Sequence, residues 1–373
     1  MLNLKEKTQK TKDTKGITLV ALVITIIILL ILATISIQSL TNTGLFERAK
    51  EAKEKTQNAT ENQAKILDEY ENTLNQYDEK TLVYKVNSGE IKIGDYVAYT
   101  PDALNDEALA TLKTNLNTYS GISNSTVNPT IKRDDLNWRV LDIQNGQVRL
   151  ISEVPTKSKI ELKGYNGYNN AVKLLDDACS ILYTNSKLAN KVQNLKIEDI
   201  TNHMTTQPTE DTTPYSPTKK YYPEILLKEK GQTVNKITGT ELDFSEQKEF
   251  INQTTKTQVN SWTLKKTYWT QKMNDTDSFK DSKYYELYIN NGNDYPAYWM
   301  SSHCIDVDSK TAYFLVRVVY PGGIIAINLY NSDSYENSIN YFFRPVITLK
   351  SNVQIDTANS GDGSRVEQAY TIK

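Results

Sequence analysis

The chain has 373 residues, enough for one large domain or two smaller ones besides a membrane segment. Its 43 lysines and arginines nearly balance 45 aspartates and glutamates, and the net charge of -2 argues against a nucleic-acid-binding protein, which usually has a strongly basic domain. The 24 tyrosines against 7 phenylalanines suit a contact-making surface, because tyrosine joins a rigid ring to a polar tip. An AT-rich coding bias would give the same excess.

The amino terminus has the charge pattern of a membrane anchor. A lysine-rich leader precedes a stretch without charge from Gly16 to Phe46. The apolar run from Ile17 to Ile37 is long enough for a helix across a bilayer, which needs roughly 20 residues. Because lysines favour the cytoplasmic side, we expect the leader inside the cell and the remainder of the chain outside, in a single-pass cell-membrane protein.

The segment around the start of this run reads "KGITLVALVITIIILLILA" and resembles the amino terminus of prepilins. The resemblance implies cleavage between Gly16 and Ile17 by prepilin peptidase, followed by methylation. Type IV pilins carry a glutamate at the fifth mature position, where this chain has Ala21. Without that carboxylate, assembly into a filament is not implied. The alternative is a plain uncleaved anchor.

A helix is predicted from Leu45 to Tyr77, where alanines and a few larger apolar residues recur at steps of three and four. Glu51 and Lys55, four residues apart, add a helix-stabilising ion pair. We therefore expect a stalk helix that continues from the membrane. The predicted amino-terminal segments are a leader (1–16), a transmembrane helix (17–40) and a stalk (41–80).

The first half of the body mixes strands and helices. The alternating stretch from Gly89 to Pro101 predicts a strand, and "LNWRVLDIQNGQVRLIS" predicts a hairpin around Asn145-Gly146. An amphipathic helix is expected from Tyr168 to Asn185, with Cys179 on its inner face, and a short helix within 195–204. Residues 205–285 are turn-rich and have the character of an insertion. The two cysteines could form one disulfide, although we expect buried thiols.

The section from Asp294 to Leu349 predicts a sheet that "FFRPVITL" closes. A strand opens at Tyr298, "AYFLVRVVY" is the next, Gly322-Gly323 turns the chain, and "IIAINLY" follows. Pro345 has no N–H for a ladder, so we expect it at a strand start or a sheet edge.

These elements resemble the C-type-lectin-like fold of the formylglycine-generating-enzyme type. The residues that carry the resemblance are Trp299-Met300-Ser301-Ser302, the strand Ala312–Val316, the glycine turn and Arg344-Pro345-Val346. The expected fold class is α+β: a transmembrane and stalk helix, then a C-type-lectin-like mixed domain with an antiparallel sheet. This domain would span 81–350, followed by a carboxy-terminal tail (351–373).

A related group with this fold comprises the target proteins of diversity-generating retroelements, which vary residues on one outward-facing surface. The resemblance implies a ligand-binding face in which tyrosine gives area and small polar residues give adaptable hydrogen bonds. The alternative is a surface loop whose tyrosines pack on their neighbours. The predicted ligand contacts are His303, Ile305, Asp306, Asp308, Val319, Tyr320, Tyr330, Asn331, Asp333, Tyr335, Asn337, Asn340 and Tyr341.

No residue pattern predicts catalysis, a cofactor or a metal site. The chain has 2 histidines, and Asp306 with Asp308 supplies too few oxygen ligands for calcium. We expect an adhesin- or receptor-like protein that binds an extracellular glycan or protein, with no nucleic-acid partner. The alternative is a minor pilin or pseudopilin that caps a pilus or secretion assembly and contacts other pilin-like subunits.

Sequencing the codons for Tyr298 to Arg344 in a culture grown from one cell tests the diversification hypothesis. We expect substitutions confined to adenine positions of outward-facing codons, because changing adenines in an asparagine codon yields Tyr, Ser, Asp, His and Ile. A uniform population would contradict active diversification in that culture. It would favour a fixed binding face or the pilin cap.

Overall fold

The computed structural model describes residues 25–26, 28–29, 45–206, 271–272, 278–289, 297–307, 312–331, 333 and 335–373. The predicted leader, Gly16, Ile17 and most of the predicted transmembrane helix lie outside these residues. Among the residues that are described, no helix is both long and apolar enough to cross a membrane. The chain divides into two compact units, Met1–Tyr70 and Glu71–Lys373.

The described residues form an α+β fold. The helices are α1 (Leu45–Asn75), α2 (Leu82–Asn87), α3 (Asp106–Tyr119), α4 (Gly164–Tyr183), α5 (Ile197–Thr201) and α6 (Ser282–Tyr288). The strands are β1 (Tyr96–Ala98), β2 (Trp138–Gln144), β3 (Gln147–Ser152), β4 (Lys159–Lys163), β5 (Ala189–Asn194), β6 (Gln271–Lys272), β7 (Tyr298–Val307), β8 (Ala312–Tyr320), β9 (Gly323–Asn331), β10 (Ser338–Phe343), β11 (Pro345–Leu349) and β12 (Tyr370–Thr371).

These strands form two six-stranded sheets. The first has the order β12-β1-β2-β3-β11-β5, and the second has the order β4-β10-β7-β8-β9-β6. Most neighbours are antiparallel, and each sheet contains one parallel pair, β1 with β12 and β10 with β7. The predicted antiparallel sheet is thus two mixed sheets.

The long amino-terminal helix is present where the sequence predicts it. Helix α1 begins at Leu45 and ends at Asn75, two residues before the predicted end. The carboxylate of Glu51 lies 2.8 Å from the ammonium of Lys55, as the four-residue spacing predicts.

The hairpin of β2 and β3 is also confirmed. Asn145 and Gly146 have φ values of 52° and 73°, the left-handed conformation that a two-residue type I′ turn requires. Trp138, Val140 and Leu150 on the two strands are all buried. The hairpin is therefore part of the hydrophobic core.

Helix α4 supplies much of the main hydrophobic cluster. Its inner residues Leu175, Ala178, Cys179 and Leu182 are fully buried, while Val172 is only partly buried. The cluster also contains residues of both sheets, including Leu150, Ile347, Trp299 and Val316. The helix begins at Gly164, four residues before the predicted start. A second cluster brings α6 against Tyr298 and Val346.

Three predicted elements differ from the structure. Only Tyr96–Ala98 of the predicted strand 89–101 is extended in a sheet, because Gly94 turns the chain with φ +87°. The predicted tail 351–373 contributes β12, which pairs in parallel with β1. The segment "FFRPVITL" does not close one sheet: β10 belongs to the second sheet and β11 to the first, with Arg344 between them. Pro345 is the first residue of β11, as expected.

Arg344 is fully buried at this crossing, and its guanidinium donates to backbone oxygens around it. Nη2 donates to Ser152 O and Glu153 O, both at 2.9 Å. Nη1 donates to Tyr288 O and to Tyr298 Oη at 3.3 Å. The guanidinium carbon lies 5.4 Å from the centroid of the Tyr298 ring. A planar group with five donors can reach all these acceptors at once, which a lysine ammonium cannot.

A second buried polar cluster joins the β2–β3 hairpin to α5 and α6. Arg149 donates to both carboxylate oxygens of Asp142, at 2.6 and 2.5 Å, and also contacts Asp199. His203 Nε2 lies 3.1 Å from Asp142, and its ring stacks on Tyr284 with centroids 3.8 Å apart. Burial by itself would raise the pKa of Asp142, but hydrogen bonds from Arg149 and His203 outweigh it and lower that pKa.

Replacing Arg344 should destabilise the protein strongly. In Arg344→Lys the side chain keeps its charge but leaves buried carbonyls unpaired, so we expect the free energy of unfolding to fall by roughly 3 kcal/mol or more. Urea denaturation followed by tryptophan fluorescence measures this change. The matched control is Arg365→Lys, because the Arg365 side chain is 69% exposed. Equal denaturation midpoints for the two variants would contradict the role of Arg344.

The Asp142 cluster should make stability acid-sensitive. The folded-state pKa of Asp142 is lowered. The ionised carboxylate of Asp142 therefore adds to the free energy of unfolding above the unfolded-state pKa of about 4. This added stability is lost as the pH falls through the folded-state pKa. We expect Asp142→Asn to lower the free energy of unfolding at neutral pH. In strong acid, the free energies of unfolding of the variant and of the unaltered protein should become equal. Chemical denaturation across pH measures both, and a constant difference at every pH would refute the linkage.

Candidate functional site

The connection between β9 and β10 carries the run of tyrosine and small polar residues. Asn331 begins it and shapes it: its Oδ1 accepts hydrogen bonds from the backbone N–H groups of Asp333 at 3.1 Å and Tyr335 at 2.9 Å. The N–H of Asn331 donates to Tyr335 O at 3.1 Å. An asparagine side chain that accepts from backbone groups further along is a common device for holding a turn. Asn331 thus organises the loop.

The far end of the loop is attached to the start of helix α4. Asn337 N donates to Leu329 O at 3.0 Å, and Gly164 N donates to Asn337 O at 3.1 Å. Gly164 has φ +57°, and a Cβ there would lie 2.9 Å from Glu336 Oε1. Glycine is therefore favoured at this position, both for its conformation and for the close approach of Glu336. Both ends of the loop are held by backbone hydrogen bonds.

Polar side chains of β4 and β10 continue the surface. Asn340 lies directly opposite Glu161, and Ser338 lies opposite Lys163, so these four side chains share one face of the sheet. Glu161 accepts hydrogen bonds from Ser338 Oγ at 2.9 Å and from Ser125 Oγ at 2.5 Å. The carboxylate is thereby held in one orientation. We use the name β9–β10 surface for Glu161, Lys163, Asp333, Tyr335, Glu336, Ser338 and Asn340.

The exposed aromatic group of this surface is Tyr335, whose side chain is 55% exposed. Glu336 next to it lies 3.9 Å from Lys163. A tyrosine on a loop that is fixed at both ends can contact a ligand with little loss of conformational entropy. The surface offers carboxylates, an ammonium, hydroxyls and one aromatic ring.

Tyr341 and Tyr320 lie on a different face from these residues. Tyr341 is opposite the buried Ile160, and its ring meets Trp299 edge-on with centroids 4.9 Å apart. Burial, with Tyr320 nearby, raises the pKa of Tyr341. Tyr341 is thus half-buried against the core, whereas Tyr320 is 47% exposed at the end of β8.

The structure buries two of the predicted ligand contacts, Val319 and Tyr330. Val319 is 3% exposed and belongs to the second hydrophobic cluster. Tyr330 is 0% exposed, with its ring centroid 5.8 Å from that of Tyr165 and 6.1 Å from that of Phe314. Neither side chain offers surface to a ligand. Side chains alternate between the two faces of a strand, and Val319 and Tyr330 point to packed faces.

The predicted ligand contacts in strand β7 do not all face outward. His303 lies opposite the buried Val316, and its ring is 4.5 Å from that of Tyr168 on α4. His303 Nε2 also contacts the backbone oxygen of Tyr168. The histidine therefore faces the helix. Asp306 is half-buried, and Ile305 lies within β7. Asp308 lies outside the described residues.

The cysteines are buried thiols, as expected. Cys179 and Cys304 are both free and fully buried. Burial raises the pKa of Cys304 to about 12, against the opposing effect of Arg317, and it raises the pKa of Cys179 as well. Such thiols are protonated at neutral pH and are poor nucleophiles. Within the ranges that the structure covers, no three His, Cys, Asp or Glu side chains are grouped so as to hold a metal ion.

No known family model, curated protein or solved structure matches this chain. The β9–β10 surface combines a fixed loop, paired charges and one exposed tyrosine, a combination suited to binding. The sequence predicted Asp333, Tyr335 and Asn340 in this surface. It missed Glu161 and Lys163, which lie far away along the chain.

Proposed function

We propose that this chain is a membrane-anchored, surface-displayed protein that binds an extracellular ligand through the β9–β10 surface. The observation that carries the proposal is the 55% exposure of Tyr335 on a loop whose two ends are hydrogen-bonded in place. Exposed tyrosines on rigid supports are frequent energetic centres of binding surfaces. The ligand is a glycan or a protein that the mixed charges of Glu161 and Lys163 can accept.

The anchor and the orientation rest on the amino-terminal sequence. The lysine-rich leader and the apolar run from Ile17 to Ile37 support a single membrane pass with the amino terminus in the cytoplasm. Prepilin peptidase is the proposed processing enzyme, acting between Gly16 and Ile17. The folded body would then lie outside the cell, where an exposed binding surface can meet its ligand.

We further propose that the body is a C-type-lectin-like domain. Two of the residues in the resemblance have core positions that support this. Trp299 is fully buried, and its Nε1 donates to Ile160 O at 2.9 Å. Arg344 is fully buried where the chain passes from one sheet to the other. Diversification of the binding surface is part of this proposal, and the clonal codon sequencing described above tests it.

Replacing Tyr335 tests the binding surface. Full-length protein in detergent micelles is labelled and applied to arrays of purified glycans and of purified extracellular proteins. For any ligand that binds, we expect Tyr335→Ala to weaken the affinity at least about tenfold, because an aromatic centre of a binding surface contributes 2 kcal/mol or more. The melting temperature should stay unchanged, since the side chain is exposed.

The matched control for this experiment is Tyr77→Ala, because Tyr77 is 79% exposed and lies outside the β9–β10 surface. Its ligand affinity should equal that of the unaltered protein. Equal losses in both variants, or a ligand whose affinity does not depend on Tyr335, would refute the assignment of the surface.

A structural role as a minor pilin or pseudopilin is the second candidate function, and one observation favours it. On helix α1, Ile66, Leu67 and Tyr70 are 64%, 68% and 66% exposed. Large apolar side chains at neighbouring positions of an exposed helix favour packing against another helix. Isolation of the protein from membranes together with other pilin-like subunits, with Ile17 as its first residue, would favour this role over a solitary receptor.

A further inference from the structure

His203 follows helix α5, and both nitrogens of its ring face hydrogen-bond acceptors. Nε2 lies 3.1 Å from the carboxylate of Asp142, and Nδ1 lies 2.7 Å from the backbone oxygen of Asp199. The histidine side chain is only 12% exposed. A carbonyl and an ionised carboxylate can only accept hydrogen bonds, so these contacts require a proton on each nitrogen. A ring that is protonated on both nitrogens is a cation.

The tyrosines of helix α6 do not remove this requirement. Tyr288 Oη lies 2.9 Å from Nδ1 of His203, but it donates its own hydrogen to the backbone oxygen of Asp199, at 2.6 Å. The ring of Tyr284 stacks on the histidine ring. Burial raises the pKa of both tyrosines, so both phenols are neutral and add no charge beside His203.

The charges around His203 also favour a cation. Arg149 pairs with both Asp142 and Asp199, and these three side chains are 11% exposed or less. Burial by itself would raise the pKa of Asp142, but hydrogen bonds from Arg149 and His203 lower it, so this carboxyl group is ionised. One guanidinium and two carboxylates leave a net charge of -1. An uncompensated buried charge is costly, and a protonated His203 brings the total to zero.

His203 connects three parts of the body. The stretch before helix α6 is bonded to the histidine, because Lys280 N donates to His203 O at 2.9 Å. The ammonium of the same lysine donates to Asn202 O at 2.8 Å. The end of α5 and the start of α6 are thus joined to each other. The contact between the histidine ring and Asp142 attaches both of them to strand β2 of the hairpin.

We propose that His203 is a pH-sensitive latch, which in its charged form holds α5 and α6 against the β2–β3 hairpin and loosens them when it loses a proton. A neutral ring has a lone pair on one nitrogen, and this lone pair would face the carboxylate of Asp142 or the backbone oxygen of Asp199. The stabilisation is therefore present at lower pH and is lost as the pH rises and the ring gives up its proton. The latch does not rest on the function proposed for the β9–β10 surface, because it shares no residue with that surface.

Nitrogen NMR of the histidine rings tests the charged state directly. The chain has 2 histidines, so full-length protein with isotope-labelled histidine in detergent micelles gives signals from two rings, and His303→Gln assigns them. The two nitrogens of a cationic ring have similar chemical shifts, whereas those of a neutral ring differ widely. At neutral pH we expect the cationic pattern for His203 in the unaltered protein. In Asp142→Asn we expect the neutral pattern, because Arg149 and Asp199 then balance without a second cation.

Hydrogen exchange followed by mass spectrometry tests the release. Exchange of residues 279–289 is compared at about pH 6 and about pH 9, corrected for the intrinsic pH dependence of exchange. In the unaltered protein we expect protection to fall at least about tenfold, since a proton lost from one group changes an equilibrium by up to tenfold per pH unit. In His203→Gln, protection should be low at both pH values, because an amide does not take up a proton. The matched control is His303→Gln, which should keep the pH response because His303 lies against Tyr168 on α4.

Two results would overturn the proposal. One is a neutral His203 ring at neutral pH in the unaltered protein, a measurement that needs no variant to fold. The other is a protection of residues 279–289 whose pH dependence is the same in His203→Gln as in the unaltered protein. Tyr335→Ala should leave both measurements unchanged. Failure of the latch is thereby distinguishable from failure of the β9–β10 surface.

Discussion

The buried guanidinium of Arg344 is the interaction on which the rest of the body depends. One residue separates β10 in the second sheet from β11 in the first, so the position of Arg344 fixes how the two sheets meet. Its side chain has no carboxylate partner in the part of the chain that the structure describes, and it is satisfied by the backbone oxygens of Ser152, Glu153 and Tyr288 and the hydroxyl of Tyr298. Its own N–H donates to Asn194 Oδ1 at 2.7 Å. A buried charge is tolerated only when its donors are used in this way.

The same crossing positions the β9–β10 surface. Strand β10 leads into Arg344 and pairs with β4, which places Ser338 and Asn340 beside Glu161 and Lys163 in the β9–β10 surface. Strand β5 pairs with β11 just after the crossing and forms an edge of the first sheet. The first residue of helix α4 holds the loop of the surface, because Gly164 N donates to Asn337 O.

One buried polar cluster stabilises the way in which separate elements meet. The cluster of Asp142, Arg149 and Asp199 is closely paired, joins separate elements and has little left to offer a ligand. Such paired groups stabilise one arrangement of the elements.

The sequence by itself determined the elements whose signals are local. Asn145-Gly146 specified its hairpin because two consecutive left-handed residues favour asparagine and glycine, and the spacing of apolar residues specified helix α4 and the burial of Cys179. Pro345 specified a strand start because it lacks an N–H. Only the tertiary structure decided that β10 and β11 lie in different sheets, that Val319 and Tyr330 are buried, that His303 faces Tyr168, and that Glu161 and Lys163 join the loop. These outcomes depend on contacts between residues far apart in the chain, and strand alternation states that neighbours face opposite sides without stating which side is covered.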